Sequence, residues 1–206
     1  MAAHDEPADL DIGPLTPAGF GRLAELFATG DPRWCWCMYF RRRGMDWSNA
    51  THENNRADLE RLAAVGASGD GPAPGLVATR DGRAIGWVSV GPRADYDRLG
   101  ASKLLAPIDD RPVWSIVCFV VAARERRRGV ARALLAAAIE YAREHGADTL
   151  EAYPLHEGRG RVPSSSAYVG TQSMFERAGF RVVATRQWND TAPPRPIVRL
   201  ELGAGR

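Results

Sequence analysis

The chain has 206 residues, 45% hydrophobic and 25% charged, the balance of a folded domain with a core and not of a disordered or fibrous chain. Its 27 Lys and Arg against 25 Asp and Glu leave a formal charge of +2, too even to call for a nucleic acid or an anionic membrane as partner. Three cysteines argue against a disulfide scaffold, no apolar run nears the ~20 residues of a membrane span, and the acidic start lacks the pattern of a secretory signal, so a reducing, cytoplasmic setting is expected.

Residues 1–8 are polar and read as a disordered tail ahead of one domain that takes up the rest of the chain. "DLDIGPL" is a short strand. Thr16 followed by Pro17 has the form of an N-cap with a first-turn proline, and Phe20, Leu23, Leu26 and Phe27 then share one helical face until Gly30 and Pro32 stop it. "RWCWCMYFRRRGMDW" has no clear period. A helix in "NATHENNRADLERLAAVGASG" is expected to end near Val65. "LVATRDGRAIGWVSVGP" is a hairpin, because Asp81-Gly82 favours a type I′ turn. A long irregular connection with one helical turn leads to "VWSIVCFVVA", Val113 to Ala122, apolar and rich in β-branched residues as a doubly buried strand must be. The helix from Gly129 to His145 carries an inner stripe of Val130, Leu134, Leu135, Ala138, Ile139 and Ala142. After it come a strand ("DTLEAYPL"), a loop ("HEGRGRVPSSS"), a helix ("TQSMFERAGF") and two closing strands ("RVVATRQW", "IVRLEL"). This order gives an α/β (α+β) domain built on a single mixed sheet.

The chemistry concentrates at the join between the central strand and its helix, "CFVVAARERRRGVARALL". A helix N-terminus offers unpaired N–H groups and partial positive charge, and glycine lets the backbone approach an anion closely. With Arg126, Arg127, Arg128 and Arg132 around Gly129, the segment Arg126 to Arg132 reads as a phosphate or pyrophosphate cradle. It is neither a P-loop nor a dinucleotide fingerprint, since both glycine patterns are missing. The same four letters recur at Arg41 to Gly44 without the strand before or the helix after, and there a solvated basic turn is expected.

Arg126-x-x-Gly129-x-Ala131, after a strand ending in Val121 and before the paired Leu134-Leu135, resembles the acyl-CoA-binding signature of the GNAT superfamily of N-acetyltransferases. The unit Phe175-Glu-Arg-Ala-Gly179-Phe180 resembles that family's second block. The resemblance spans roughly Leu76 to Arg186. It implies a mostly antiparallel sheet flanked by helices on both faces, two strands splayed to admit acetyl-CoA, pantetheine along Phe119, Val120 and Val121, and pyrophosphate on the amides of Arg127, Arg128, Gly129, Val130, Ala131 and Arg132. It implies transfer of the acetyl group to a primary amine of a small molecule or protein in a ternary complex; an acyl-CoA sensor with little catalysis is the alternative. A homodimer is compatible with it.

Acetyl transfer calls for a base to free the amine, N–H donors facing the thioester oxygen, and a proton for the departing thiolate. An amide of Phe119, Val120 or Val121 is the candidate oxygen donor. The chain departs from the family at Phe175, where a tyrosine is usual. Tyr168 is the candidate acid in its place, with Ser173 or solvent as alternatives and loop packing as its plainer role. Glu151, alternating with Tyr153 on one strand face, is the candidate base if it faces the cleft, or else a salt-bridged strand residue. His156 and Glu157 follow that strand. Asp109 and Asp110 stand before the central one, either as a turn or as an amine-recognising pair. Cys35-x-Cys37 with only Cys118 left over, and no spaced His pair, does not make a zinc site, and no metal is expected. Trp34, Trp36 and Tyr39 either pack in the core or wall an acceptor pocket.

Overall fold

The computed structural model describes residues 10–157 and 168–203. One seven-stranded sheet organises them, in the spatial order β1-β2-β3-β4-β5-β7-β6. β1 (Asp11–Pro14), β2 (Gly75–Arg80), β3 (Arg83–Pro92) and β4 (Trp114–Val121) pair antiparallel in turn. β5 (Thr149–Ala152) lies parallel to β4, and β7 (Arg195–Glu201) and β6 (Arg181–Arg186) complete the antiparallel far side. Asp81 and Gly82 both have positive φ, 51° and 73°, as the expected hairpin turn requires.

Helices cover both faces. α1 (Phe20–Leu26), α2 (Pro32–Cys35), α3 (Gly44–Ser48), α4 (His52–Ser68) and α5 (Asp97–Ala101) all precede β4. α6 (Val130–Glu144) and α7 (Gln172–Arg177) follow it. Thr16 accepts from the Gly19 amide at 3.3 Å as an N-cap, although a single 3-10 turn, Pro17–Gly19, intervenes before α1. α4 runs to Ser68, three residues beyond the expected end, because Gly69 at φ 83° supplies the left-handed stop.

β4 divides the core, its alternation interrupted at Val117, where the register with β3 shifts. Ile116 and Phe119 join Leu134, Leu135, Ala138, Phe175 and Phe180 under α6 and α7. Val117, Cys118 and Val120 join Phe20, Phe27, Trp36, Leu59 and Trp87 on the other side. All six residues of the expected α6 stripe are buried, each contributing ~1.5–3 kcal/mol where the side chain is large. Gly86 on β3 sets how closely α6 can lie, since a Cβ there would come within 2.8 Å of Val130 Cγ1 and 2.9 Å of Leu134 Cδ1. The start of α6 is thereby pinned beside the end of β4.

The pairing of β4 with β5 is brief: Trp114 with Leu150, Ser115 with Glu151, and Ile116 with Ala152. β5 then ends while β4 continues to Val121, and beyond β5 the chain turns to pair Leu155 with Thr171. The two strands part after Ile116, leaving an opening in the middle of the sheet. No helix among the described residues is long and apolar enough to cross a membrane.

Candidate active site

β4 leads through a short turn, Ala123–Glu125, into the arginine loop. Arg126 is extended, Arg127 is left-handed at φ 62°, and Gly129, the N-cap of α6, is left-handed at φ 83°. Reversals of this kind turn successive N–H groups toward one side and make an anion-binding concavity. Among the described residues, no oxygen accepts from the amides of Arg127, Arg128, Gly129, Val130 or Ala131. The side chains of Arg126, Arg127, Arg128 and Arg132 are exposed around this rim. Arg126 Nε donates to the Val121 carbonyl at 3.3 Å, and Arg128 lies 3.5 Å from Glu125, which Arg80 holds at 2.6 Å. Open amides, a glycine at positive φ and a helix dipole fit a diphosphate.

The free edge of β4 lies next along the chain from this loop. The Ala122 amide donates to Ile85 on β3 at 3.0 Å. Main-chain groups alternate in direction along a strand, so Val120 also faces β3, while Phe119 and Val121 face the opening. Of the three residues expected along the pantetheine, two therefore turn their amides to the opening and Val120 does not.

Beneath this edge, on the α2 side, lies a cavity of about 460 Å³. Cys118 and Val120 form its floor. Asp31 and Cys35 come from α2 and the residue before it, and Tyr39, Tyr153, Tyr168, Leu105 and Arg195 complete the walls. Tyr168 is half-buried, and burial pushes its phenol pKa up, aided by the charge of Asp31, against the opposing effect of Arg126. The Asp31 carboxylate makes no capping bond to α2.

The three cysteines meet here. Cys37 Sγ lies 3.6 Å from Cys118 Sγ and accepts from the Trp87 indole at 3.1 Å. The Cys35 thiol pKa is pushed far up by its hydrogen bond with Cys37 and by burial; that of Cys37 rises through its bond with Cys118 and burial. Among the described residues no group of three or more Cys, His, Asp or Glu is placed to hold a metal ion.

Glu151 is only 1% exposed and does not line the cavity. It accepts from Tyr153 Oη at 2.6 Å and Arg199 Nε at 2.8 Å, with Arg93 at 3.7 Å. The face it was expected to share with Tyr153 is correct, but the phenol stands in front and alone reaches the cavity. Tyr153 is held further by Ser115 at 3.0 Å and Arg93 at 2.8 Å. Asp109 is tied to Arg199 at 2.6 and 3.1 Å, away from the cavity. His156 contacts Gln172 at 2.9 Å, and Glu157 accepts from the Ser173 amide at 2.9 Å. Most of the loop that follows, residues 158–167, lies outside the described residues.

The second arginine cluster departs from the expected solvated turn. Arg41 packs 4.6 Å over the Tyr96 ring with its side chain 7% exposed, and Arg42 bridges Asp46 and Asp58. Both guanidiniums brace α3, α4 and the turn before α5. Trp36 is core, stacked on Phe20 at 5.8 Å, whereas Tyr39 reaches the cavity. Phe175 is fully buried between Phe119 and Phe180, with ring centroids at 6.1 and 5.1 Å. Nothing in the sequence pattern points to Asp31 or Arg195: each is a lone charged residue beside a turn, without a periodic or motif signal.

The residues 33–160 match the family model described as acetyltransferase (GNAT) family. No curated protein matches the chain. Many solved structures are similar in fold. A GNAT-family acetyltransferase structure from Desulfovibrio desulfuricans is 18% identical, covering 94% of this chain and 99% of its own, with a TM-score of 0.56. An acetyltransferase structure from Salmonella typhimurium with its cofactor acetyl-CoA is 16% identical over 94% of both chains, at 0.55. The polyamine N-acetyltransferase of Drosophila melanogaster, which forms N-acetylagmatine, is 11% identical over 94% of this chain and all of its own, at 0.57. With more than half of its length matched by the family model, on a sheet that parts beside an amide-lined helix start, the chain belongs to the GNAT acetyltransferases and is an acetyl-CoA-dependent acyltransferase.

Proposed function

We propose that this enzyme acetylates the primary amine of a small molecule, directly and within one ternary complex. The observation that carries this reading is the cavity beneath the unpaired stretch of β4: at about 460 Å³ it is the size of small-molecule sites, and Tyr168 on its wall feels the charge of Arg126. Amides of Arg127 to Ala131 would hold the diphosphate, and those of Phe119 and Val121 the pantetheine. When bound, acetyl-CoA supplies an activated acyl group.

The rest of the chemistry falls to the chain. Asp31 attracts the ammonium group and takes its proton, directly or through water. A β4 amide faces the carbonyl oxygen as its charge grows. Tyr168, kept protonated by burial and the nearby carboxylate, donates to the leaving sulfur. Glu151 acts as a positioning residue that fixes Tyr153 and Arg93 along the wall. The raised thiol pKa values of Cys35 and Cys37 speak against a covalent acyl-cysteine step, since the thiolate is the nucleophile.

Calorimetry with acetyl-CoA, followed by thiol release and product mass spectrometry over a panel of amines, tests the reading. Binding with acetylation of at least one small amine is expected. Absence of acetyl-CoA binding, or acetylation confined to protein amino groups, overturns it.

A further inference from the structure

The cavity contains a guanidinium that no carboxylate among the described residues neutralises. Arg195 opens β7, half-buried, and lines the cavity with Tyr39, Tyr153 and Leu105. Nη1 donates to the Tyr153 carbonyl at 3.3 Å, and among the described residues no carboxylate comes within salt-bridge range. Burial lowers its pKa, with only the Tyr39 phenol opposing, so the charge is partly stripped of water without compensation.

The neighbouring arginines differ. Arg199 is bound by Glu151 and Asp109. Arg93 is bound by Glu151, the Tyr153 phenol and the Leu105 carbonyl. Arg186, paired with Arg195 across β6 and β7, donates to the carbonyls of Leu104, Ala106 and Pro107. A guanidinium has five N–H donors in a fork matched to carboxylate and phosphate oxygens. Arg195 uses one on the protein. The cavity's own carboxylate, Asp31, makes no ion pair with it and acts on Tyr168 instead. The cavity thus carries a negative group beside the proposed acid and a separate, unpaired positive one, with aromatic and apolar walls.

From this arrangement we infer that Arg195 determines acceptor specificity, and that the acceptor is a small amine bearing its own oxyanion, a carboxylate or phosphonate, which seats on Arg195 while the amino group faces Asp31 and Tyr168. The inference rests on the cavity being the acceptor site. A polyamine would set a second cation against Arg195 and is disfavoured.

The test is competition within matched pairs. Each acid (phenylalanine, 4-aminobutyrate, 4-(aminomethyl)benzoate and their phosphonate counterparts) is mixed at equal concentration with the amine lacking the acid group, and products are quantified by mass spectrometry. The acid of the best pair should win by about 10- to 100-fold, the worth of charge-assisted hydrogen bonds. Carboxylate and phosphonate arms identify which oxyanion is used. Arg195→Met should bring the ratio near one, and Arg195→Lys should keep part of it. Should Arg195→Met fold poorly, the wild type alone decides: 3-phenylpropionate should inhibit at least tenfold better than its amide. Acid-free amines winning throughout, an unchanged ratio in Arg195→Met, or equal inhibition by acid and amide overturns the inference while leaving the acetyltransferase reading intact. Failure to bind acetyl-CoA removes both.

Discussion

Replacing Gly129 by Asp separates the two ways this residue matters. At φ 83° and ψ −7° it occupies a conformation that costs an ordinary L-residue about 1–2 kcal/mol. That strain burdens the folded state with or without ligand, so it appears as a fall in melting temperature of ~2–4 °C per kcal/mol for a chain of this size. A carboxylate added there would also face a bound diphosphate, here taken at ~5 Å as for charges in near contact. At an effective dielectric of ~20, one pair of like charges at that distance costs about 3 kcal/mol, a loss of a hundredfold or more in affinity. Gly129→Ala carries the strain without the charge and should keep most of its affinity. Calorimetric titration with CoA, beside thermal melts of both variants, reads the two effects independently. A folded Gly129→Asp protein that binds CoA as tightly as wild type would refute the placement of the diphosphate on these amides.

Tyr168→Phe should lower kcat at least tenfold. Because the phenol pKa is raised above its usual value of 10.0, the wild-type rate should fall only above that pH, and a kcat–pH profile of the variant should lack this alkaline limb. Phe175→Ala should cost about 3–5 kcal/mol in urea unfolding, since it empties a fully buried site between two other rings; Phe175→Tyr should also destabilise, by ~1–3 kcal/mol, for want of a partner for its hydroxyl. Asp109 has its pKa held below the usual 3.8, first by the hydrogen bond from Arg199. Its contribution is therefore present above pH ~4 and lost as pH falls through the depressed value. Asp109→Asn should be less stable than wild type at pH 7, with the two converging in acid-denaturation curves once the pH falls below the depressed value.

Much of the fold was legible because its signals are local. The Val113–Ala122 run, the α6 stripe and the Asp81-Gly82 turn each state their structure in a few adjacent letters, and the strand–arginine–glycine–helix join is found where those letters stand. The cavity was not legible. It is assembled from single residues at α2, on β4, just past the end of β5, in the Tyr168 segment and on β7, far apart in sequence, and none stands in a pattern. Glu151 shows the limit: alternation put it on the correct face, but only the packed structure sets Tyr153 in front of it and Arg199 against it. The "RWCWC" segment was opaque for another reason. Trp36 and Cys37 take φ values of 45° and 56°, a left-handed turn that no propensity anticipates, held by the stacking of Trp36 on Phe20 and the Trp87–Cys37 contact.

The parting of β4 from β5 turns a buried strand into a two-tone clock for amide deuteration. Val120 and Ala122, latched to β3, should retain their protons long after Phe119 and Val121 have exchanged, so a slow–fast alternation should run along the most apolar stretch of the chain. Occupation of the gap by a thioester's amide-bearing arm would slow the fast positions and erase the alternation, reporting residue by residue how far along the strand the arm extends.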